Sequence, residues 1–322
     1  MNARNDPGFA PVNRPVPGSV PPDDPWASTG AKQIVIEHVS PTRAASRRFL
    51  RHRLALVGVV VVLAVILMAA FAPLLSPWPP NYIDFVGGSR EPPGPWHPLG
   101  TDVVGRDIWA RLLYGGRTSI IVGLGAVSFY LTIGVLLGLA AGFYGAAVDQ
   151  VIMRLTDTIM SIPPLLLIIV FVAAIGPSIY SIIAVIGLLG WPTTCRLVRG
   201  QLLVLREAEF ITSARVIGVR DRTILFRHML PNIFGPLTVV ATFGVATAIL
   251  LESSLSFLGL GVRPPQSSWG NLITEAANPN VLNEVPWQWM PAAAAITLMV
   301  LGVNFIGDGL RDALDPRTAK RG

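Results

Sequence analysis

A single cysteine, Cys195, two lysines, Lys32 and Lys320, and four histidines set the first limits on this 322-residue chain. One thiol closes no internal disulfide and builds no multi-thiolate metal site. A phosphate-cradling loop needs Gly-Lys-Ser/Thr, and neither lysine follows a glycine, so ATP is not bound here in that way. His38, His52, His97 and His228 lie far apart and no His-Glu-x-x-His occurs, which leaves a zinc hydrolase without ligands. Charge is the scarcest commodity: 14% of residues are Asp, Glu, Lys or Arg and 52% are hydrophobic, against roughly 25% charged in a typical soluble domain. A soluble fold of this size cannot hide so much apolar surface, so an ordinary cytosolic enzyme is excluded. The formal net charge of +6 comes from residues that flank apolar runs, which favours a membrane surface over nucleic acid.

What is present is a series of long uncharged runs. Residues 1–41 hold eight prolines and no apolar periodicity, and read as a disordered cytoplasmic tail in which only Ile34-Val35-Ile36 offers a sticky patch. No secretory signal is expected, because the first apolar run starts near residue 54. Residues 42–116 form an N-terminal region with a first helix over 54–75 and a Pro/Gly-rich extracytoplasmic loop. Such a run of 22 residues crosses a hydrocarbon core of about 30 Å. Five further helices are expected at about 118–144, 153–175, 179–198, 233–260 and 286–307, with Gly176-Pro177-Ser178 dividing an uncharged stretch too long for one span. Residues 312–322 form a second cytoplasmic tail. Alternating from an inside N-terminus puts 17 basic residues on inner segments and five on outer ones. The expected fold is an all-α integral membrane protein of six transmembrane helices with both termini inside.

Residues 206–232 are the most informative. Phe210, Ala214 and Ile217 fall at i, i+4 and i+7, an apolar stripe on a short helix with Glu207 and Glu209 in its first turn. Gly218 suits the position after its last turn, and Asp221 can open a second helix ending near Pro231. Taken alone, this helix-turn-helix elbow fits an amphipathic loop on the membrane surface as well as it fits a docking element. Gly115-Gly116 and Gly259-Leu260-Gly261 read as helix packing or turns rather than phosphate loops. Arg154 and Asp157, at i and i+3, are expected to pair, and Pro163-Pro164 to kink the third helix. Trp269, Trp287 and Trp289 read as interfacial anchors.

Glu209, Phe210, Ala214, Arg215, Gly218, Arg227, His228, Leu230, Pro231 and Asn232 together resemble the coupling loop of permease subunits in ATP-binding-cassette importers, in the form of the dipeptide/oligopeptide branch. Thr212-Ser213-Ala214 stands where the general pattern has Glu-Ala-Ala. Three more signatures of the C-type peptide permease resemble stretches here in order: His97 to Asp102 with Gly105-Arg106-Asp107 and Arg111 to Gly115, Glu252 to Gly261, and Asn304 to Asp312. The resemblance implies an ABC transmembrane type-1 domain over 117–311, in a multi-pass protein of a bacterial or archaeal cytoplasmic membrane that moves di- or oligopeptides or related small solutes. It implies a second, B-type permease subunit, two ABC ATPase subunits that carry ATP and Mg, and an extracytoplasmic substrate-binding protein, with no catalysis, cofactor or metal on this chain. In that frame Glu209, Phe210, Ala214, Arg215, Ile217, Gly218, Arg227, His228, Leu230 and Pro231 belong to the ATPase-coupling loop. Glu252, Ser253 and Ser256 are candidates either for a pathway contact to a peptide ammonium or for a helix-capping or inter-subunit hydrogen bond. Thr101, Asp102, Arg106 and Asp107 are candidates for a loop facing the binding protein, with self-contained loop folding the equal alternative. The competing class, an autonomous secondary carrier or channel, predicts more intramembrane ions and an internal repeat, neither of which the sequence displays.

Overall fold

In a computed structural model, which describes residues 41–85 and 88–314, the uncharged runs are helical. Most of the expected tails, 1–41 and 312–322, lies outside those residues. The elements are α1 (Pro41–Phe49), α2 (Arg53–Ala70), α3 (Ile108–Tyr144), α4 (Ala146–Met160), α5 (Pro164–Ile175), α6 (Ile179–Arg206), α7 (Glu209–Val216), α8 (Leu230–Leu255), α9 (Trp269–Thr274) and α10 (Met290–Leu314). Among the described residues there is no strand, only two isolated bridges, Ile83 with Arg106 and Thr101 with Asp107. Five helical stretches are long and apolar enough to cross a membrane, and α4 with α5 make a sixth if that bent pair is one span.

The helix bounds differ from the expected ones wherever a charge was neutralised or a proline intervened. Asp107 caps α3 by accepting from the Ala110 amide at 2.8 Å, so α3 begins ten residues before the expected 118 and shortens the preceding loop. Within that added length Arg117 donates to the carbonyls of Ala69 and Ala70, the open C-terminal end of α2. These are the partners a helix C-terminus favours. The first span ends at Ala70, with one more turn, Ala72–Leu75, after a break. The expected single helix over 153–175 is two helices bent by 85°. Pro163 has no amide hydrogen, and Pro164 holds it out of the helical region at ψ 124° while itself starting α5 where no amide is needed. α6 continues past 198 to Arg206 because Arg196 and Arg199 are paired with Asp157 and Asp149 of α4. Asp157 therefore binds across to α6 rather than to Arg154. The last span starts at Met290, after a short 3-10 turn at Pro286–Gln288, and runs on to Leu314.

The tightest packing joins α3 to α6. Gly134, Gly138 and Gly142 recur every fourth residue and form one face of α3. A Cβ on them would stand 2.6 Å from Thr194 Cβ, 2.7 Å from Val198 Cβ and 2.8 Å from Leu202 Cβ. Small residues let helix backbones approach where no water drives association. Gly138→Val is expected to destabilise the chain by about 1–3 kcal/mol through overpacking against Val198 and the Cys195 carbonyl. Thermal denaturation of the purified protein in detergent reads this. An unshifted melt would mean that the two helices part without loss.

Three buried clusters follow. One unites α3, α5 and α6 around Tyr130, Ile168, Ile182 and Trp191. A second joins α2, α3, α8 and α10 around Ile249, Trp269 and Met299. Trp269 is thus a core residue, its indole donating to the Leu112 carbonyl at 3.0 Å, and not an interfacial anchor. The third ties α7 to α6 and α8 and positions the elbow.

Candidate functional site

Eight residues of α7 would not hold a helix alone; packing and its ends hold this one. Glu209 lies in its first turn and Arg215 in its last, both favourable to the helix dipole. Gly218 sits at φ +76°, its amide donating to the Arg215 carbonyl and the Val219 amide to the Ala214 carbonyl, each at 3.0 Å. This is a Schellman stop, which needs a residue at ease in the left-handed region. Glu207 is the C-terminal cap of α6 rather than part of α7.

The expected stripe of Phe210, Ala214 and Ile217 divides. Ala214 turns inward with Ile211 against Ile224, Met229, Val198 and Leu202. Phe210, Val216 and Ile217 face outward at 48%, 82% and 79% exposure. Ile211 and Ala214, three apart, share the inward side, and Ile217 has already left the helix. Arg215, Arg220, Arg222 and Arg227, in the same segment, are exposed and form no ion pair among the described residues. The helix opening at Asp221 does not end near Pro231. It widens through a π-helical turn, Ile224–Met229, and continues as α8. The wider turn gives the Pro231 ring the room a regular helix would deny it. His228 and Leu230 are half-buried, Pro231 is exposed, and the His228 carbonyl accepts from Asn232 Nδ2 at 2.6 Å.

Above the elbow, α3, α4, α5, α6 and α8 enclose a cavity of about 620 Å³ lined by Tyr130, Ile168, Thr194, Phe243, Gly244 and Thr247 among others. None of its lining residues is charged. A Cβ on Gly244 would fall 1.6 Å from the Tyr130 hydroxyl, so the glycine lets that ring reach α8. Nothing in the residue pattern signals this cavity, because its residues are ordinary in each helix and meet only through the packing.

Glu252 does not line it. The side chain is fully buried and accepts from Ser119 Oγ at 3.1 Å and Ser256 Oγ at 2.8 Å. An intramembrane carboxylate is costly unless so partnered. The bonds run to α3 and to the residue four further along the chain, both within this subunit. Ser253 Oγ donates to the Ile249 carbonyl.

The loop candidates also turn inward. Thr101, Asp102 and Asp107 are buried, and only Arg106 keeps part of its surface. Thr101 Oγ1 donates to the Gly88 carbonyl and accepts from the Glu91 amide. Asp102 accepts from the Val104 and Arg106 amides, from Arg106 Nε at 2.7 Å and from Arg111 Nη1 at 2.5 Å. Asp107 caps α3 and, with Asp84, flanks the two ring nitrogens of His97. These residues fold the loop onto the start of α3, and of the four only Arg106 keeps exposed surface. Beside them Arg106, Arg111, Arg263, Gln266, Asn271 and Glu275 line a cleft of about 240 Å³. Among the described residues, no group of three or more His, Cys, Asp or Glu is arranged to hold a metal.

Comparison with known proteins adds the following. The profile of the family described as binding-protein-dependent transport system inner membrane component matches residues 134–320. That of the N-terminal TM domain of oligopeptide transport permease C matches residues 40–93. A putative peptide permease protein of Brucella suis biovar 1 (strain 1330) is 43% identical over 286 residues, 88% of this chain and 94% of its own. A dipeptide transport system permease protein of Alkalihalophilus pseudofirmus is 40% identical over 308 residues, 95% and 97% of the two chains. An oligopeptide transport system permease protein of Bacillus subtilis (strain 168) is 37% identical over 290 residues, 90% and 94%.

Proposed function

The chain belongs to the family of binding-protein-dependent transport system inner membrane components, and from that premise we propose how it works as a C-type permease subunit of a peptide ABC importer. It forms half of the translocation pathway in the inner membrane, paired with a second, B-type permease. Two ATPase subunits bind and hydrolyse ATP with Mg, so the chemistry lies outside this chain, and an extracytoplasmic binding protein delivers the peptide. Both termini and the elbow face the cytoplasm, in keeping with the arginines clustered there.

The observation that carries this reading is the elbow. Phe210, Val216 and Ile217 form an exposed apolar trio in a segment that also exposes four arginines, Arg215, Arg220, Arg222 and Arg227, without ion pairs among the described residues. An apolar anchor in a basic segment suits a groove whose rim is acidic. The elbow is not a free appendage. Ile211 and Ala214 pack on residues of α6 and of the turn entering α8, and both helices continue into the wall of the cavity. A displacement of α7 by a closing ATPase pair therefore moves two cavity walls through side chains already in contact.

Tagging the chain, solubilising native membranes gently and identifying what copurifies tests the assembly. Stoichiometric recovery of a second permease and ATPase subunits is expected. Recovery of this chain alone, after crosslinking as well, would overturn the reading in favour of an autonomous carrier or channel.

A further inference from the structure

We propose that the cleft at the end of α8 remote from the elbow is a reception site for the C-terminal carboxylate of the incoming peptide, with Arg111 and Arg263 as its donors; this rests on the peptide-importer reading above. The helix that opens at Asp221 beside the elbow runs through α8 to a final π-helical turn, Ser256–Leu260. The cleft begins there, lined by Ser256, Gly259 and Gly261. It therefore lies about a membrane's thickness from the elbow, on the face where a substrate is presented.

Its charge is unbalanced. Arg106, Arg111 and Arg263 contribute three guanidiniums, while Glu275 is the one carboxylate in the lining. Asp102 stands behind them, and both Arg106 and Arg111 donate to its single Oδ2. Two carboxylates against three guanidiniums leave one positive charge in a cleft of about 240 Å³. Arg111 is 5% exposed, a desolvated cation, with Nη1 on Asp102 and Nε on Ser267 Oγ at the long distance of 3.4 Å. Its Nη2 has no acceptor among the described residues. Arg263 lines the same cleft, is exposed and forms no ion pair among them. A buried guanidinium with an unused donor, in one cleft with a second guanidinium, is suited to a carboxylate held by two planar forks.

The remainder of the pathway strengthens the assignment. No charged residue lines the 620 Å³ cavity, so this chain offers a peptide terminus no ionic partner there. Within this cavity the walls are uncharged, so the cleft at the end of α8 is where this subunit offers a charged terminus a guanidinium before those walls. Glu275, on the same cleft, stands ready for a cationic group of the same ligand.

The test uses the complete importer in proteoliposomes with its binding protein. The probe is a mixed library of di- to pentapeptides with free C-termini, set against the same library amidated at the C-terminus, with uptake read by mass spectrometry. Each uptake is divided by the occupancy of the binding protein measured separately. The wild type is expected to prefer free acids by about tenfold beyond the preference of the binding protein, the worth of one charge-assisted hydrogen bond. Arg111→Gln should abolish that excess. Because that variant removes a buried partner of Asp102, Arg263→Gln at an exposed position is measured beside it and should lower uptake of free acids at least about threefold more than uptake of amides. Equal loss of acids and amides in Arg263→Gln would assign Arg263 to the binding protein and overturn the proposal. An excess unchanged in that variant would overturn it alone, whereas a wild type that moves neither library overturns the peptide reading with it.

Discussion

Asp102→Ala is expected to destabilise the chain by about 3–5 kcal/mol, the cost of stranding a buried charge. Asp102 is almost fully buried and, among the described residues, is the only carboxylate that pairs with Arg111, itself buried, and with Arg106. It also accepts the Val104 and Arg106 amides, which shape the turn leading into α3. Alanine removes all four acceptor contacts and leaves the Arg111 guanidinium in a desolvated site against one distant hydroxyl. The measurement is the melting temperature of the purified chain, with the yield of monodisperse protein as a second readout. Asp102→Asn keeps acceptors for the two amides and loses the ionic partner, so it should fall between. The discriminating variant is Asp102→Ala combined with Arg111→Met, because replacing both members of a buried pair by apolar groups is often nearly neutral. The double variant should recover much of the loss. If Asp102→Ala alone melts with the parent, the carboxylate is not what holds this loop to α3.

This pair also marks where the sequence misleads. Uncharged runs identified the spans because a bilayer tolerates few unpaired charges, and the cores of α2, α3, α6, α8 and α10 all fall where such runs occur. The same criterion started α3 too late and stopped α6 too early. Arg111 and Arg117 in one, and Arg196 and Arg199 in the other, are satisfied by Asp102, by the carbonyls of Ala69 and Ala70, and by Asp157 and Asp149. Partners distant in sequence cannot be read from a run length. Pro163-Pro164 announced a kink, yet the 85° turn that makes α4 and α5 separate helices depends on how each packs. At the elbow, spacing located α7 and Gly218, but a short helix with apolar residues on two sides does not declare which side is covered. Ile211 and Ala214 lie inward only because Ile224 and Met229 return from the next segment. The cavity and the cleft were illegible for the same reason: each gathers side chains from several elements, none unusual in its own.

Gly218→Val is expected to lower transport by about 5–30-fold while leaving the chain inserted and assembled with its partner permease, given a cost of about 1–2 kcal/mol for a side chain in the left-handed region. Gly218 has no atom within 4 Å of where a Cβ would lie, so the substitution meets no clash. The penalty is purely conformational, at φ +76°, and β-branched residues bear it worst. Relieving it means rotating the backbone out of that region, which breaks the two hydrogen bonds that end α7. The exposed trio Phe210, Val216 and Ile217 then no longer holds a fixed angle to α6 and α8, although the buried pair Ile211 and Ala214 still anchors the segment. ATP hydrolysis by the partner subunits should persist, since nothing in their sites is touched, and lose its stimulation by loaded binding protein. Gly218→Asn separates geometry from side-chain bulk, because asparagine enters the left-handed region readily. Its transport should stay within about twofold of the parent, a difference of about 0.4 kcal/mol. Both activities are measured in the same proteoliposomes, so that a fall in transport with ATP turnover retained identifies uncoupling. Equal transport by the valine variant would show that the angle of α7 is irrelevant to coupling, and equal loss in valine and asparagine would put the requirement on the absence of a side chain instead.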